Sequence, residues 1–531
     1  MVSRAQLVVV VVFEQPRRDT SPRADAMVLL ASSRGPALAT SPRLRPRASR
    51  RRARANAPRA RASSTPAPGE DASSEKPPDH TPVEAEKLTP EARGFLAALD
   101  TAPLVVAQTA PAVRVALSEE FGRPPGAFSP GQLVAALRAL GVHKVLDTNT
   151  AADLCICEEG TELLQRLYDA DEADQAARAR REETDADADA DAGDPASASA
   201  SAPTAPLPMF TSCCPGWIQL VEKTMPDLWP YVSSCKSPHM MLGALLKRVT
   251  RDVWGGHEPE DVFLVSVMPC VRKKGESLRP EYATGGVRDV DEVITTRDLG
   301  ALLRLRGIDP GSLEPSAFDQ PLGEGSGAGQ LFGVTGGVME AAVRTVYAVV
   351  TEGETLPRLE LEDVRGLAGL KECEVSLKSP ITGKGIDRSL RLAVVSGLAE
   401  AKTLIRDMRD GTRVYDFVEV MACPGGCVGG GGQPRSKDPD VLRKRAEAVY
   451  GLDRCAAVRQ SHQNPAIAEV YERWLAPGFG SDAAKEALHV DRPEPPRRDD
   501  DSDRERAAPF PRASSTRTAE CETCGLRYDV E

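Results

Sequence analysis

Three apolar runs, each suited to a buried strand, end in turns that carry cysteines. The turns read TSCCPGW (211–217), MPCVRKKGE (268–276) and MACPGGCVGGGGQP (421–434). Helix-like runs alternate with the strand-like runs, and this alternation indicates an α/β fold. Because ligands gather beyond the carboxyl ends of the strands in such folds, we expect the three turns to meet around one site.

Four cysteines in these turns have the chemistry of a metal centre. If the turns meet, they form a four-thiolate site, which suits zinc or an iron–sulfur cluster. The predicted ligands are Cys214, Cys270, Cys423 and Cys427. Zinc sites usually combine two close cysteine pairs, whereas only Cys423 and Cys427 are close here. The spacing therefore favours a cluster held between separate elements.

Glycines and a further thiol accompany these ligands. The run VGGGG (428–432) lets the backbone approach closely and leaves space for a bulky inorganic group; the alternative is a flexible loop. Cys213 directly precedes Cys214, and two adjacent thiols in a turn suggest two different roles. We predict that the other cysteines of the body are buried free thiols: Cys155, Cys157, Cys235, Cys373 and Cys455.

The first 68 residues differ in composition from the rest. They hold fourteen Arg, no Lys and three acidic residues, which is typical of an organelle transit peptide; the alternative is a disordered basic tail that binds nucleic acid. The whole chain carries −11 and this segment +11, so the remainder carries −22. Such an acidic body argues against a nucleic-acid partner. No apolar stretch reaches the roughly 18 residues of a membrane span.

Composition also predicts boundaries. We expect a linker over 69–92 and a folded body from 93. The Ala/Asp and Ala/Ser repeats of 184–208 are predicted to be a solvated insertion, with a domain boundary as the alternative. Residues 491–531 are predicted to be a disordered tail, whose C-x2-C pair (Cys521 and Cys524) forms no complete metal site. Within the body, we predict a single helix over 291–307.

The three cysteine segments resemble, in order, the signature segments of the [FeFe]-hydrogenases. Further similar segments are TAPAVRVALSEEFG, EEGTELLQRL, SSCKSPHMMLG, FGVTGGVMEAAVRT and SHQNPAIAEVYERWL. The layout resembles the short algal type, without accessory ferredoxin-like domains. The resemblance implies two lobes of mixed β-sheet flanked by helices, with the metal cluster in the cleft between them. It also implies a large-subunit catalytic region over 93–428 and a small-subunit-like region over 429–490.

The resemblance assigns cofactors to the cysteines. The four predicted ligands would hold a [4Fe–4S] cluster. Cys427 would also bridge it to a two-iron subcluster with CO, cyanide and a dithiolate bridge, and the two parts form the H-cluster. Cys213 would bind no iron and would pass protons, since a thiol gains or loses a proton at modest cost.

A proton path and a pocket are implied in the same way. The path would continue through Glu159, Ser233 and Glu162, with Arg166 near the exit; the alternative for the two Glu is a solvated helix surface. Lys273 would donate a hydrogen bond to a cyanide and Glu276 would orient Lys273. The remaining pocket residues would be Pro111, Pro238, Phe332, Met268, Met421 and His239. The alternatives are a surface Lys and ordinary core Met.

His239 departs from the family, which commonly has Gln at this position. An imidazole can donate the same hydrogen bond, but it titrates near pH 6.5 when unperturbed. We therefore expect an altered pH dependence.

The function implied is that of a ferredoxin hydrogenase that interconverts protons and H2. Ferredoxin would exchange the electrons, maturation proteins would supply the two-iron part, and the protein would be a monomer of the chloroplast stroma, with mitochondrion or hydrogenosome as alternatives. Three other functions remain open. They are a narf-like iron–sulfur assembly protein, a hydrogen sensor and a zinc-binding interaction protein. The presence of Cys213, and the absence of any cysteine before Cys155, favour the enzyme over the assembly protein.

Overall fold

The computed structural model describes residues 10–11, 29–30, 85–186, 206–320, 322–378, 387–491, 510–511, 518–520 and 527–529. The predicted transit peptide lies outside the described residues, apart from a short antiparallel pair of strands (Val10–Val11 and Leu29–Leu30). Cys521 and Cys524 lie outside them as well.

The first sheet is fully parallel. In chain order, five strands are numbered β1 (Leu104–Thr109), β2 (Lys144–Asp147), β3 (Met209–Phe210), β4 (Val262–Met268) and β5 (Glu292–Thr295). Four of them form this sheet in the order β2-β1-β4-β5. Their apolar runs are buried, as expected of a parallel sheet that is covered on both faces.

The second sheet is mixed. Its further strands are β6 (Leu370–Lys378), β7 (Asp387–Ser396) and β8 (Phe417–Met421), and its order is β6-β7-β8-β3. Strands β6 and β7 pair antiparallel, whereas β8 runs parallel to both of its neighbours. The predicted α/β class is therefore confirmed.

Helices surround the two sheets. In chain order they are α1 (Pro90–Thr101), α2 (Pro111–Ala116), α3 (Pro130–Leu140), α4 (Thr148–Ala186), α5 (Pro215–Thr224), α6 (Pro238–Val253), α7 (Lys273–Glu276), α8 (Thr296–Leu305), α9 (Gly327–Gln330), α10 (Gly337–Val350), α11 (Leu398–Arg409), α12 (Val441–Cys455), α13 (Pro465–Trp474) and α14 (Asp482–Leu488). Six of them begin with a proline at the first position, where the missing N–H costs nothing. One apolar core contains side chains of both sheets, including Val105, Leu264, Leu377 and Leu390.

Two predicted boundaries differ from the structure. The predicted helix 291–307 divides into β5 and α8, because the run up to Thr295 pairs with β4 and the Thr295 side chain then caps the helix by accepting from the Asp298 N–H. Helix α1 begins at Pro90, inside the predicted linker, with Thr89 as its cap and Phe95 fully buried.

Part of the predicted tail packs on the second sheet. The ring of Phe510 lies 4.9 Å from that of Tyr231 and 6.2 Å from that of Phe210, and Phe510 is buried. These rings belong to a second apolar cluster, which also includes Trp217 and Val418. Of the helices in the described part of the chain, none combines the length and the apolar character needed to cross a membrane.

Candidate metal centre and proton path

The four predicted ligands lie in turns that follow strands of both sheets. Cys270 follows β4 of the first sheet, Cys214 follows β3, and Cys423 and Cys427 follow β8. Backbone hydrogen bonds join the turns. The Gly432 N–H donates to the Pro269 carbonyl at 2.8 Å, and the Ala422 N–H contacts the Cys214 Sγ at 3.3 Å. The three turns therefore meet, as the sequence predicted.

The charges and spacing of the four sulfurs fit a cluster. Burial raises the pKa of Cys427, and the neighbouring thiols raise it further; burial and the same neighbours raise the pKa of Cys423 to about 11. The negative charges of neighbouring thiolates repel each other, and a bound metal stabilises the deprotonated forms. Within the described residues, no three of the four Sγ atoms lie within 4.8 Å of one another. A single zinc ion holds its sulfurs about 3.8 Å apart, so a larger group fits these donors better.

The glycines serve mainly the approach of one turn to another. An ideal Cβ on Gly430 would lie 2.3 Å from the Pro269 carbonyl oxygen, and one on Gly426, at φ +85°, would lie 2.5 Å from the Thr335 nitrogen. No side chain fits at either position. The close contact is therefore with protein backbone, which the sequence argument about space for an inorganic group did not foresee.

Lys273 and Glu276 lie beside Cys213. Lys273 Nζ donates to the Cys213 carbonyl at 3.0 Å and pairs with Glu276 at 2.7 Å. Burial alone would lower the pKa of Lys273, but the Glu276 charge outweighs it, so the pKa is raised and the ammonium form is retained. Both side chains are buried. Lys273 is therefore a fixed donor in the pocket and lies away from the protein surface.

His239 is also part of this arrangement. Its Nε2 lies 3.0 Å from Glu276 Oε2, and its Nδ1 lies 3.4 Å from Ser266 Oγ. Burial lowers the pKa of His239, Lys273 lowers it further, and Glu276 opposes both. The imidazole is therefore neutral at neutral pH and donates from Nε2, in place of the titration near pH 6.5 that we expected.

The other predicted pocket residues are mostly buried. Met268, Met421 and Phe332 belong to the core cluster that includes Cys213. Pro111 begins α2, where its carbonyl accepts from Gln330 at 3.3 Å. Pro238 begins α6 and is half-buried.

The predicted proton path is a connected set of side chains on α4 and the segment before α6. Glu159 Oε1 accepts from the Ser212 N–H at 3.3 Å, which places Glu159 beside the Cys213 turn. Ser233 interacts with Glu159 and donates to Glu162 Oε2 at 2.9 Å. The structure therefore brings Glu159, Ser233 and Glu162 together.

The two carboxyl groups have opposite pKa shifts. Burial raises the pKa of Glu159 to about 8, and the charge of Glu162 adds to the shift. Burial would also raise the pKa of Glu162, but the positive charges of Arg166 and His489 outweigh it and lower the pKa. At neutral pH, Glu159 therefore holds a proton and Glu162 is ionised.

Arg166 lies against Glu162, the last carboxylate of the predicted path. Its side chain is only 4% exposed, and its guanidinium pairs with Glu162 at 2.6 Å. Nη1 and Nη2 also donate to the carbonyls of Pro206, Pro230, Tyr231 and Val232. Arg166 therefore holds Glu162 and the chain around it, and it does not reach the surface as an exit group would.

Two residues of the site were not predicted. Ser234 donates to Glu162 Oε2 at 3.1 Å, and its hydroxyl lies 2.8 Å from His489 Nδ1. Ser234 adjoins the predicted Ser233, so its position in the sequence could have indicated that it belongs to the site. His489 follows the last helix of the body, far from every motif, and nothing in its sequence neighbourhood pointed to it.

The remaining five cysteines differ in their burial. Cys155, Cys157 and Cys235 are buried, as predicted, and Cys373 is half-buried. Cys455 is exposed, so the prediction of a buried thiol is wrong there. It is the last residue of the amphipathic helix α12, whose buried positions are Arg445, Ala446, Val449, Tyr450 and Asp453.

Two family models match the chain. The model described as "Iron only hydrogenase large subunit, C-terminal domain" matches residues 104–431, and "Iron hydrogenase small subunit" matches 439–491. The NADP-reducing hydrogenase subunit HndD of Solidesulfovibrio fructosivorans is 42% identical over 73% of this chain. The chain spans 60% of the length of that relative.

Two further comparisons concern a solved structure and a more distant relative. A solved structure of a variant of the [FeFe]-hydrogenase HydA1 from Chlamydomonas reinhardtii matches with a TM-score of 0.62 and 43% identity; the match covers 75% of this chain and 98% of HydA1. Protein NAR1 of Arabidopsis thaliana is 30% identical, over 75% of this chain and 79% of NAR1. The similarity to the hydrogenases is thus greater than that to NAR1.

Proposed function

The chain belongs to the iron-only hydrogenase family, and we propose that it catalyses the reversible reduction of two protons to H2 with electrons from ferredoxin. The observation that carries this proposal is the buried thiol of Cys213, which adjoins both a cluster ligand and a buried chain of proton-holding side chains. A protein that only carries or assembles clusters has no need of that chain.

The family carries the H-cluster, a [4Fe–4S] cubane joined to a two-iron subcluster. When bound, this group transfers single electrons and provides the iron at which protons and electrons combine. Cys214, Cys270, Cys423 and Cys427 would hold the cubane, and Cys427 would also hold the two-iron part with its CO, cyanide and dithiolate ligands. Lys273 would present its ammonium to a cyanide, with Glu276 fixing its direction.

Protons move through groups of this chain. The Cys213 thiol would exchange its proton with Glu159 Oε2, which has no hydrogen-bond partner among the residues that the structure describes. The raised pKa of Glu159, about 8, suits a group that must both hold and release a proton near neutral pH. Ser233 then links Glu159 to Glu162, where the lowered pKa favours release.

The pocket walls keep bulk water away from these exchanges. Met268, Met421 and Phe332 are each less than a tenth exposed. Removal of water strengthens every electrostatic interaction in the pocket. We infer that the walls confine proton exchange to the Cys213–Glu159 side.

The surface beside the cluster ligands supports ferredoxin as the electron carrier. Val271, 45% exposed, follows the ligand Cys270, and Arg272 next to it is exposed. Arg435 and Lys437, after the glycine run, are exposed as well. These cations flank the turns that carry the cluster ligands, and complementary charge steers an acidic partner toward such groups.

Further parts of the proposal rest on the resemblance and on composition. Maturation proteins supply the two-iron subcluster, and the protein acts as a monomer. The Arg-rich segment 1–68 directs it to the chloroplast stroma, with mitochondrion or hydrogenosome as alternatives.

Infrared spectroscopy tests the proposal on protein co-expressed with maturation proteins. Bands of iron-bound CO and cyanide, together with H2 turnover, are expected. Bound iron without these bands would instead support the alternative, a narf-like iron–sulfur assembly protein.

A substitution tests the role of the thiol. Cys213→Ser should retain the iron and lose H2 turnover about 100-fold or more, because the hydroxyl does not replace the thiol as a proton carrier. Cys373→Ser, in strand β6, is the matched control and should turn over like the wild type. Turnover of Cys213→Ser at the control rate would contradict the proton role of Cys213.

A further inference from the structure

The proton path needs an outer end, and Arg166 cannot provide it. A guanidinium does not release a proton in proteins. That of Arg166 is buried and donates to one carboxylate and four backbone carbonyls. Arg166 is therefore a positioning residue for Glu162, and another group must exchange protons with water.

A hydrogen-bonded route leads from Glu162 to His489. Ser234 Oγ lies 3.1 Å from Glu162 Oε2 and 2.8 Å from His489 Nδ1. Both distances are normal for hydrogen bonds. The hydroxyl therefore connects the carboxylate directly with the imidazole.

The backbone fixes this geometry. The Val490 N–H donates to the Ser234 carbonyl at 2.9 Å, and the Lys236 N–H donates to the Leu488 carbonyl at 2.9 Å. These bonds bridge the segment around Ser234 to the segment that follows α14. His489 is therefore held opposite Ser234 by main-chain pairing, independently of its own side-chain contacts.

Several titratable groups face the imidazole. Glu158 Oε2 lies 2.9 Å from His489 Nε2, and Cys235 Sγ lies 3.9 Å from both ring nitrogens. Glu158 also accepts from the Tyr471 hydroxyl. With Glu162, these groups belong to α4, α13 and the segment before α6. The Glu158 carboxylate therefore orients the ring through Nε2, and Nδ1 faces the Ser234 hydroxyl.

The side chains of this cluster are not arranged to bind a metal ion. One ligand atom each of Glu162, Cys235 and His489 lies within 4.8 Å of the other two. However, both oxygens of Glu162 and both nitrogens of His489 already have hydrogen-bond partners. Satisfied, connected donors and acceptors are what a proton relay requires.

We propose that His489 is the group that exchanges protons between solvent and Glu162, through the hydroxyl of Ser234. The inference rests on the proposed function. During H2 formation, the imidazolium gives its Nδ1 proton to Ser234 Oγ while Ser234 gives its own proton to Glu162 Oε2. The neutral imidazole keeps its Nε2 proton, which faces Glu158, and regains a proton from water at the vacated Nδ1, since the side chain is 11% exposed. During H2 oxidation each transfer reverses.

The competing route is direct exchange between Glu162 and water, because the Glu162 side chain is 14% exposed. Two variants distinguish the routes, His489→Gln and Ser234→Ala. Ser234→Ala removes only a hydroxyl and leaves the backbone hydrogen bonds intact. The test therefore remains possible even if His489→Gln does not fold. His257→Gln, at a partly exposed histidine in the turn after α6, is the matched control.

We expect both variants to keep the iron and the infrared bands and to slow H2 turnover about tenfold or more. Added imidazole should restore turnover in His489→Gln and not in Ser234→Ala. Turnover of both variants at the rate of His257→Gln would overturn the inference and establish direct exchange at Glu162.

A second measurement does not depend on activity. The chain has six histidines, so nitrogen-15 histidine labelling gives few imidazole signals. Glu162→Gln and Ser234→Ala should each shift the His489 signals and leave those of His257 unchanged; unchanged His489 signals would overturn the link. A wild-type protein without turnover or infrared bands would contradict the proposed function itself, and the NMR result would still decide the link.

Discussion

Gly430→Ala should weaken cluster binding without altering any ligand. Gly430 has φ −61°, which alanine adopts freely, so the substitution tests the contact alone. The new Cβ would lie 2.3 Å from the Pro269 carbonyl oxygen, whereas real contacts of this kind stay beyond 3.0 Å. The turns of Cys270 and Cys427 must therefore separate by about 0.7 Å, which exceeds the roughly 0.5 Å tolerance of a functional site.

The energetic cost has two parts. Overpacking against a fixed backbone costs about 1–3 kcal/mol. The Pro269 carbonyl also accepts from the Gly432 N–H at 2.8 Å, and loss of that bond adds about 1 kcal/mol. A total near 3 kcal/mol corresponds to about a hundredfold weaker retention of the cluster.

The assay is release of iron to a chelator from anaerobically purified protein, with iron per chain measured before and after. Gly431→Ala is the matched control in the same run, because its Cβ meets only Val271 Cγ2 at 3.5 Å. Equal iron release by the two variants would refute the reasoning, since it would show that the turns adjust to the clash without cost.

Two further predictions concern buried charge. The infrared band of a protonated carboxyl should disappear as the pH rises through about 8 and should be absent in Glu159→Gln. The folded state binds this proton more tightly than the unfolded chain does. The free energy of unfolding of the wild type, relative to that of Glu159→Gln, should therefore fall by about 1.4 kcal/mol per pH unit between pH 4.5 and 8. A difference that stays constant with pH would contradict the raised pKa of Glu159. Asp453→Asn should lower the free energy of unfolding in urea by about 1.5–3 kcal/mol, because Arg344 and Arg459 each lose a charged hydrogen-bond partner and retain only Glu340 and Glu360 as charged partners. Glu447→Gln, exposed on the same helix, should leave the urea midpoint unchanged.

The sequence predicted the parts of the site that depend on chemistry and local patterning. Cysteines at the ends of apolar runs were enough to bring Cys214, Cys270 and Cys427 together, because strands and their following turns are local structures. The side chains of Glu159 and Glu162 share a helix face for the same reason. The pKa of His239 was not predictable, since it depends on burial and on Lys273, which lies 34 positions away in the sequence.

The features that were missed depend on tertiary contacts. The antiparallel strands β6 and β7 were not predicted; they pair with each other over their length, and the end of β7 pairs with β8, which follows later in the chain. The first residues of α1 were assigned to the linker because they resemble the polar segment that precedes them. His489 reaches Ser234 only through main-chain pairing between distant segments.

The strand pairing in the second sheet has a consequence for biosynthesis. Strand β3, only Met209–Phe210, pairs with Phe417–Val418 of β8. A ribosome must therefore release the chain well past residue 427 before β3 gains its neighbour and the fourth cysteine joins the other three. Nascent chains fold by units as they emerge, so the first sheet is complete while Cys214 and Cys270 still lack Cys423 and Cys427. Loading of iron is accordingly a post-translational step, and a nascent chain stalled before β8 exposes thiols that the finished protein keeps for the cluster.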